Sequence, residues 1–194
     1  MKEQYTEEYF KTMNYSNYLE RKDRYFKSAK ELDDLLTRIC LLNKDDVILD
    51  YGCALGFLMA GFREMGYRNV WGYDISQWAV QQSRSIGNNM LDSYAGFRAD
   101  VLVSLDVFEH MPDDEIAHVL DEIQSKVLIA RIPCSTDGGH TFHLEVSRVD
   151  PTHINCKDKE EWIEVFKERY AFVTRLNLIT IYDSPGVACL LAVK

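Results

Sequence analysis

The sequence predicts an α/β fold: a parallel sheet with helices on both faces, finished by an antiparallel hairpin. Three observations predict it. Short apolar runs (VILDYG, NVWGYD, DVLVSL and KVLIARIP) alternate with segments of helical periodicity along most of the chain. The first of them, VILDYG, reads as a strand covered on both sides. The closing stretch, RLNLITIYDSPGVACLLAVK, reads as two strands joined by a turn at 183–186.

Each element follows in order. Residues 1–40 form a helical cap or lid in this reading, and 41–194 form the core of a single domain. The cap opens with a tyrosine-rich stretch, YTEEYFKTMNYSNYLERKDRYF. KSAKELDDLLTRICLL then sets Leu32, Leu35, Leu36 and Ile39 on one helical face. After a turn at 43–46, VILDYG is the first strand. FLMAGFREMG is a helix ended by Gly66, which suits the left-handed C-terminal position. NVWGYD is the second strand, and Ser76 caps the helix SQWAVQQSRS. GNNMLDSYAGF is irregular. DVLVSLDVFEHM starts as a strand and turns polar. PDDEIAHVLDEIQ is a helix with Pro112 in its first turn and acids beside its N-terminus. KVLIARIP is a buried strand, DGGHTFHLEVSRVDPTHINC a long loop, and KDKEEWIEVFKERY an amphipathic helix.

Composition narrows the function. A chain of 194 residues suits one domain and buries roughly two thirds of its unfolded surface. A net charge of −9 argues against nucleic acid, whose phosphates are neutralised by Lys and Arg. The one dense basic run, RKDR at 21–24, reads as a solvated helix face. No apolar run approaches the ~20 residues of a membrane helix. The polar start, MKEQYTEEYF, does not read as a signal peptide. Cys40, Cys53, Cys134, Cys156 and Cys189 are odd in number and widely spaced, as free thiols are. A cytoplasmic location is expected.

The corner VILDYGCALGFL, at 47–58, is the candidate site. Gly52 and Gly56 permit unusual dihedrals and close backbone approach to a ligand. The helix that follows presents free N–H groups. Asp50 stands at the mouth, and Asp74 ends the second strand, where a carboxylate can accept bonds from both hydroxyls of a ribose. A dinucleotide corner wants G-x-G-x-x-G, with the second glycine admitting a pyrophosphate. Gly52-Cys53-Ala54-Leu55-Gly56 lacks that spacing. The cofactor implied carries less phosphate, and an amino-acid ammonium would suit Asp50.

With these residues the chain resembles the class I S-adenosylmethionine-dependent methyltransferases of the small-molecule branch. ILDYGCALG resembles their first motif, usually D/E-x-G-x-G-x-G. VWGYDIS resembles the second, and DVLVSLDVFEHMPD the fourth strand with its sequel. The closing hairpin resembles the last two strands. The resemblance implies a Rossmann-like fold and methyl transfer from S-adenosylmethionine to a small molecule, a sugar or other hydroxylated metabolite. It implies Asp50, Gly52, Cys53, Ala54 and Gly56 at the methionine end, Asp74 at the ribose and Ile75 against the adenine. Leu105 and Asp106 would face the sulfonium and the acceptor. There are two departures. Ala54 replaces the middle glycine. The stretch IGNNMLDSYAGFR leaves little room for a third strand, which is expected to be reduced to NMLDS or missing. A reduced strand would bring Asp92 and Ser93 to the adenine amine.

The acceptor side is expected in loops at the carboxyl ends of the strands. His143 and His153 are candidate bases, since histidine titrates near neutrality. Tyr9, His110, His140, Glu145 and Arg148 are candidate acceptor contacts. No metal is expected; the alternative set is His143, Glu145 and His153, two histidines and a carboxylate. Tyr5, Tyr9, Phe10, Tyr15 and Tyr18 are candidates for an aromatic lid, whose ring faces would favour a sulfonium. The expected partners are the small acceptor and, as candidate assembly, a homodimer, with no nucleic acid or membrane. The competing functions are a nucleotide-binding oxidoreductase, using NAD or a relative, and a non-catalytic partner subunit.

Overall fold

The computed structural model describes residues 4–12, 18–138 and 140–194. Seven strands form one sheet in the order β3-β2-β1-β4-β5-β7-β6. These are β1 (Ile48–Tyr51), β2 (Val70–Tyr73), β3 (Asn89–Met90), β4 (Arg98–Leu105), β5 (Gln124–Pro133), β6 (Phe172–Arg175) and β7 (Val187–Val193). The first five run parallel, and β7 is antiparallel to both β5 and β6. Strand order reverses beside β1, which pairs with β2 on one side and β4 on the other. That switch point opens a crevice at the carboxyl ends of the strands.

Alternation along the strands builds a core on each face of the sheet. Ile48, Val101, Val103, Val127 and Ile129 point to one face, under α2 (Lys22–Arg38) and α3 (Phe57–Glu64). Leu32, Leu36, Met59 and Phe62 cover them from those helices. Leu49, Leu102, Leu128 and Leu190 point to the other face, under α5 (Asp113–Glu122) and α7 (Lys159–Lys167). Ile116, Val119, Trp162 and Phe166 cover that side. Between β2 and β3 lies α4 (Gln77–Ser85), where Ser76 accepts a bond from the Ala79 amide as the expected N-cap.

The structure moves several expected boundaries. The helix at 22–38 packs against the sheet, so it belongs to the layer that covers it and not to the cap. Ahead of it, among the described residues, lie α1 (Glu7–Thr12) and a 3-10 turn at Tyr18–Arg21. The third strand exists but is two residues long, with the Leu91 amide adding one bond to the Gly72 carbonyl. In the hairpin, β6 begins earlier than expected, at Phe172. The stretch expected to be its first strand is mostly connection, with a local bridge between Asn177 and Tyr182. The histidine-bearing loop carries a short helix, α6 (Glu145–Val149). No helix among the described residues is long and apolar enough to cross a membrane.

Candidate active site

The turn after β1 is built from left-handed backbone. Gly52 has φ +76°, and a Cβ there would lie 2.3 Å from Val107 Cγ2. Ala54 takes φ 47°, a position that costs an L-residue roughly 1 kcal/mol or more. It is held there by its amide, which donates to Asp74 Oδ2 at 2.7 Å. Asp74 Oδ1 accepts from the Ser76 amide at 2.8 Å. One carboxylate thus ties the β1 turn to the start of α4. Each oxygen keeps a second acceptor site. Burial, against these two bonds, raises the Asp74 pKa to about 6. Asp50 is buried behind the turn, and burial together with the Asp74 charge raises its pKa to about 8.

A cleft runs from this turn across the carboxyl ends of β1, β2 and β4. Gly52, Ala54, Asp74 and Ile75 line one end; Leu105, Asp106, Val107 and His110 line the other. Tyr5, Tyr9, Phe10, Tyr18 and Tyr25 also line it. These rings form an interlocked cap. Tyr5 meets Tyr9 edge-on at 5.0 Å and His110 at 5.8 Å. Phe10 stacks on Trp78 at 5.4 Å, and Tyr18 on Tyr25 at 5.3 Å. The cap is pinned at both sides. Ser76 Oγ donates to the Tyr5 carbonyl, and the Tyr9 hydroxyl donates to Asp150 at 3.4 Å.

Among known proteins, the family model described as a methyltransferase domain matches residues 20–184. The chain belongs to this family. It is an S-adenosylmethionine-dependent methyltransferase. Solved structures agree in fold. The magnesium protoporphyrin IX methyltransferase of Synechocystis PCC 6803, with SAH bound, is 17% identical with a TM-score of 0.63, covering 96% of this chain and 97% of that one. A SAM-dependent methyltransferase from Archaeoglobus fulgidus is 15% identical with a TM-score of 0.61, covering 93% and 100%. The plantazolicin methyltransferase BpumL, in complex with a monoazolic desmethylPZN analog and SAH, is 15% identical with a TM-score of 0.65, covering 91% and 86%. No curated protein matches at the level of sequence.

The methyltransferase cleft collects some of the expected residues and leaves others out. Gly52, Ala54, Asp74, Ile75, Leu105, Asp106, Tyr9 and His110 line it. Cys53 turns its thiol into the core, toward Met90. Gly56 serves the turn: a Cβ there would lie 2.2 Å from both Asn88 Nδ2 and Ser83 Oγ. Asp92 does not reach the cleft. Its side chain is 93% exposed and pairs with Arg84, because β3 ends two residues before it. Tyr94 stands at the cleft instead, edge-on to the stacked pair of Tyr51 and Tyr73 at 5.5 and 4.9 Å.

The loop after β5 is corrected most. His140 is exposed and bonds the Cys156 carbonyl, and His143 bonds Thr136 and packs under Gly186. Glu145 and Arg148 lie on the exposed side of α6. None of the four lines the cleft. The metal set His143, Glu145 and His153 is therefore not assembled. His153 is buried behind His110, ring centroids 4.6 Å apart. Tyr15 lies outside the described residues.

Two partners at the β4 end lie outside the expected set, and only the first had a readable signal in the sequence. Arg131, an arginine within the apolar run of β5, grips both oxygens of Asp106 through Nε and Nη2. Burial opposes it, but the guanidinium prevails and holds the Asp106 carboxyl below its usual range. Thr152 fixes the tautomer of His110. Its hydroxyl donates to Asp150 Oδ1, so at 2.9 Å from His110 Nδ1 it can only accept. The Thr152 carbonyl lies 3.2 Å from the same nitrogen. Nδ1 therefore carries the proton and Nε2 the lone pair. Burial and the neighbouring His153 lower the His110 pKa to about 4, so the ring is neutral at neutral pH.

Proposed function

We propose that the chain methylates a small hydroxylated acceptor, a sugar or a metabolite of that kind, inside the capped cleft. The observation that carries this reading is the continuity of the cleft. It runs from the left-handed turn and Asp74 to Asp106 and His110 beneath one aromatic roof. An acceptor that reacts there must be small enough to lie under the cap.

S-adenosylmethionine supplies, when bound, a methyl on a cationic sulfonium. The residues fit that cofactor. The second acceptor sites on the two Asp74 oxygens suit two ribose hydroxyls. Gly52 lacks the Cβ that would block approach to the turn, and Asp50, protonated near neutrality in the free protein, can ionise beside a bound ammonium. Ile75 and Tyr94 give apolar surface for a purine. The tyrosine faces of the cap favour a cation. In-line transfer then needs an oriented nucleophile and a dry site. Arg21, Asp106, His110 and Glu115 offer the hydrogen-bonding groups that a polyhydroxylated acceptor needs, and the cap excludes water.

Calorimetric titration with S-adenosylhomocysteine, paired with methyl-transfer assays on small hydroxylated compounds, tests this. Binding by the wild type and loss of roughly tenfold or more in Asp74→Ala are expected, from a hydrogen-bonded charge worth about 1.5–3 kcal/mol. Unchanged affinity in the variant would sink the ribose assignment. Turnover confined to peptide or nucleic-acid acceptors would sink the acceptor class.

A further inference from the structure

At the acceptor end of the cleft, one buried carboxylate has no partner. Glu109 is fully buried, and neither of its oxygens has a hydrogen-bond partner among the described residues. Such a group costs several kcal/mol unless something compensates it. Two imidazole nitrogens face it. Glu109 Oε1 lies 3.8 Å from His110 Nε2 and 3.9 Å from His153 Nε2. One donor atom from each of the three residues lies within 4.8 Å of both others. Asp150 Oδ2 stands a further 3.7 Å from His153 Nε2.

We propose that Glu109, His110 and His153 form a binding site for a divalent transition-metal ion at the floor of the acceptor end. The donor set is two imidazoles and one carboxylate, which suits zinc, manganese or iron(II) better than magnesium. An ion that holds such donors at about 2.0–2.2 Å needs them roughly 3–3.5 Å apart, so the two carboxylate–imidazole separations close by about half an ångström on binding and the imidazole–imidazole one by up to about 1–2 Å. Support around the ligands is already in place. The proton on His110 Nδ1 is taken by Thr152, which leaves the Nε2 lone pair for the ion. Asp150 accepts from the Thr152 amide and hydroxyl, and so holds Thr152 against His110. The backbone is fixed as well, since the Glu109 carbonyl accepts from the Ile154 and Asn155 amides. That pairing locks the turn after β4 to the segment carrying His153.

His110 lines the cleft, so the ion would lie against it and keep positions for oxygen ligands. A consequence for chemistry rests on the methyl-transfer reading above: acceptors with two adjacent oxygens would chelate the ion, and it would lower the pKa of a bound hydroxyl. The site itself stands on the donor set alone.

The test uses the full chain, stripped with chelator and titrated with Co²⁺ as a spectroscopic probe and Mn²⁺ by calorimetry, with Mg²⁺ as comparison. One equivalent of Co²⁺ with visible d–d bands is expected, and weaker binding of Mg²⁺. Glu109→Gln and His153→Gln should each weaken Co²⁺ binding at least tenfold. S-adenosylhomocysteine titration of the same samples reports the cofactor end separately. A wild type that binds S-adenosylhomocysteine but no transition ion overturns the metal site and leaves the methyltransferase reading standing. Co²⁺ bound equally well by both variants overturns it too.

Discussion

At the scale of single residues, the site depends on a few atoms of the β1 turn. Gly52 is required twice, by φ +76° and by Val107 Cγ2 at 2.3 Å from a Cβ. Gly52→Ala should therefore lower stability by about 1–3 kcal/mol. Adding Val107→Ala should recover part of that, because the clash is removed and the dihedral cost is not; thermal unfolding of the three variants checks this. Ala54→Gly should change stability little. Relief at φ 47° is offset by the greater freedom of glycine in the unfolded chain. The paired carboxyls set a pH dependence. Asp74 near 6 and Asp50 near 8 both lie above the unfolded value of about 3.9. The fold prefers both protonated, so the free protein loses their contribution as pH rises from about 4 toward 8. A bound ribose and ammonium favour the ionised forms. S-adenosylhomocysteine should then bind more tightly from pH 6 to 8, with protons released. Calorimetry in buffers of different ionisation enthalpy measures both, and affinity that falls over this range would contradict the assignment.

At the scale of elements, the ends of strands and helices decide the geometry. The bidentate Asp106–Arg131 pair joins the ends of β4 and β5 at the cleft wall. Arg131→Met removes one partner and leaves Asp106 without its counter-ion, at an expected cost of about 3 kcal/mol. Asp106→Asn should cost less, since it also removes the charge; urea unfolding distinguishes the two. Helix α7 starts with a full capping box, Asp158 accepting from the Glu161 amide and Glu161 from the Asp158 amide. Asp158→Ala should cost about 1 kcal/mol by the same measurement. The third strand shows where local reading stops. NMLDS is the expected remnant of the strand, but pairing ends after Met90 and one further amide. Asp92 then turns to Arg84 in solvent. A one-dimensional pattern carries propensity and not partner length, and β2 itself has only four residues to offer.

At the scale of the whole molecule, the cleft exists because α1 and its rings close over the switch point of the sheet. Among the described residues, the cap rests on edge-on and stacked ring contacts and on long-range hydrogen bonds from Ser76 to Tyr5 and from Tyr9 to Asp150. Tyr9→Ala should leave the fold intact and weaken retention of S-adenosylhomocysteine, raising its dissociation rate several-fold in stopped-flow displacement. An unchanged rate would mean the cap does not hold the ligand. The sequence by itself determined the alternating α/β plan, the left-handed corner at Gly52 and the acid at Asp74. These features are local: a buried strand, a turn that demands φ > 0 and a strand-end carboxylate are written in adjacent residues. The tertiary structure alone decided which histidines meet. His140 and His143 share a loop with His153, yet only His153 is carried inward, by amides that bond the Glu109 carbonyl more than 40 residues away. It decided likewise that Tyr94, and not Asp92, reaches the cleft. Contacts between distant segments depend on where the chain returns, and burial and register set that return, which spacing along a sequence does not encode.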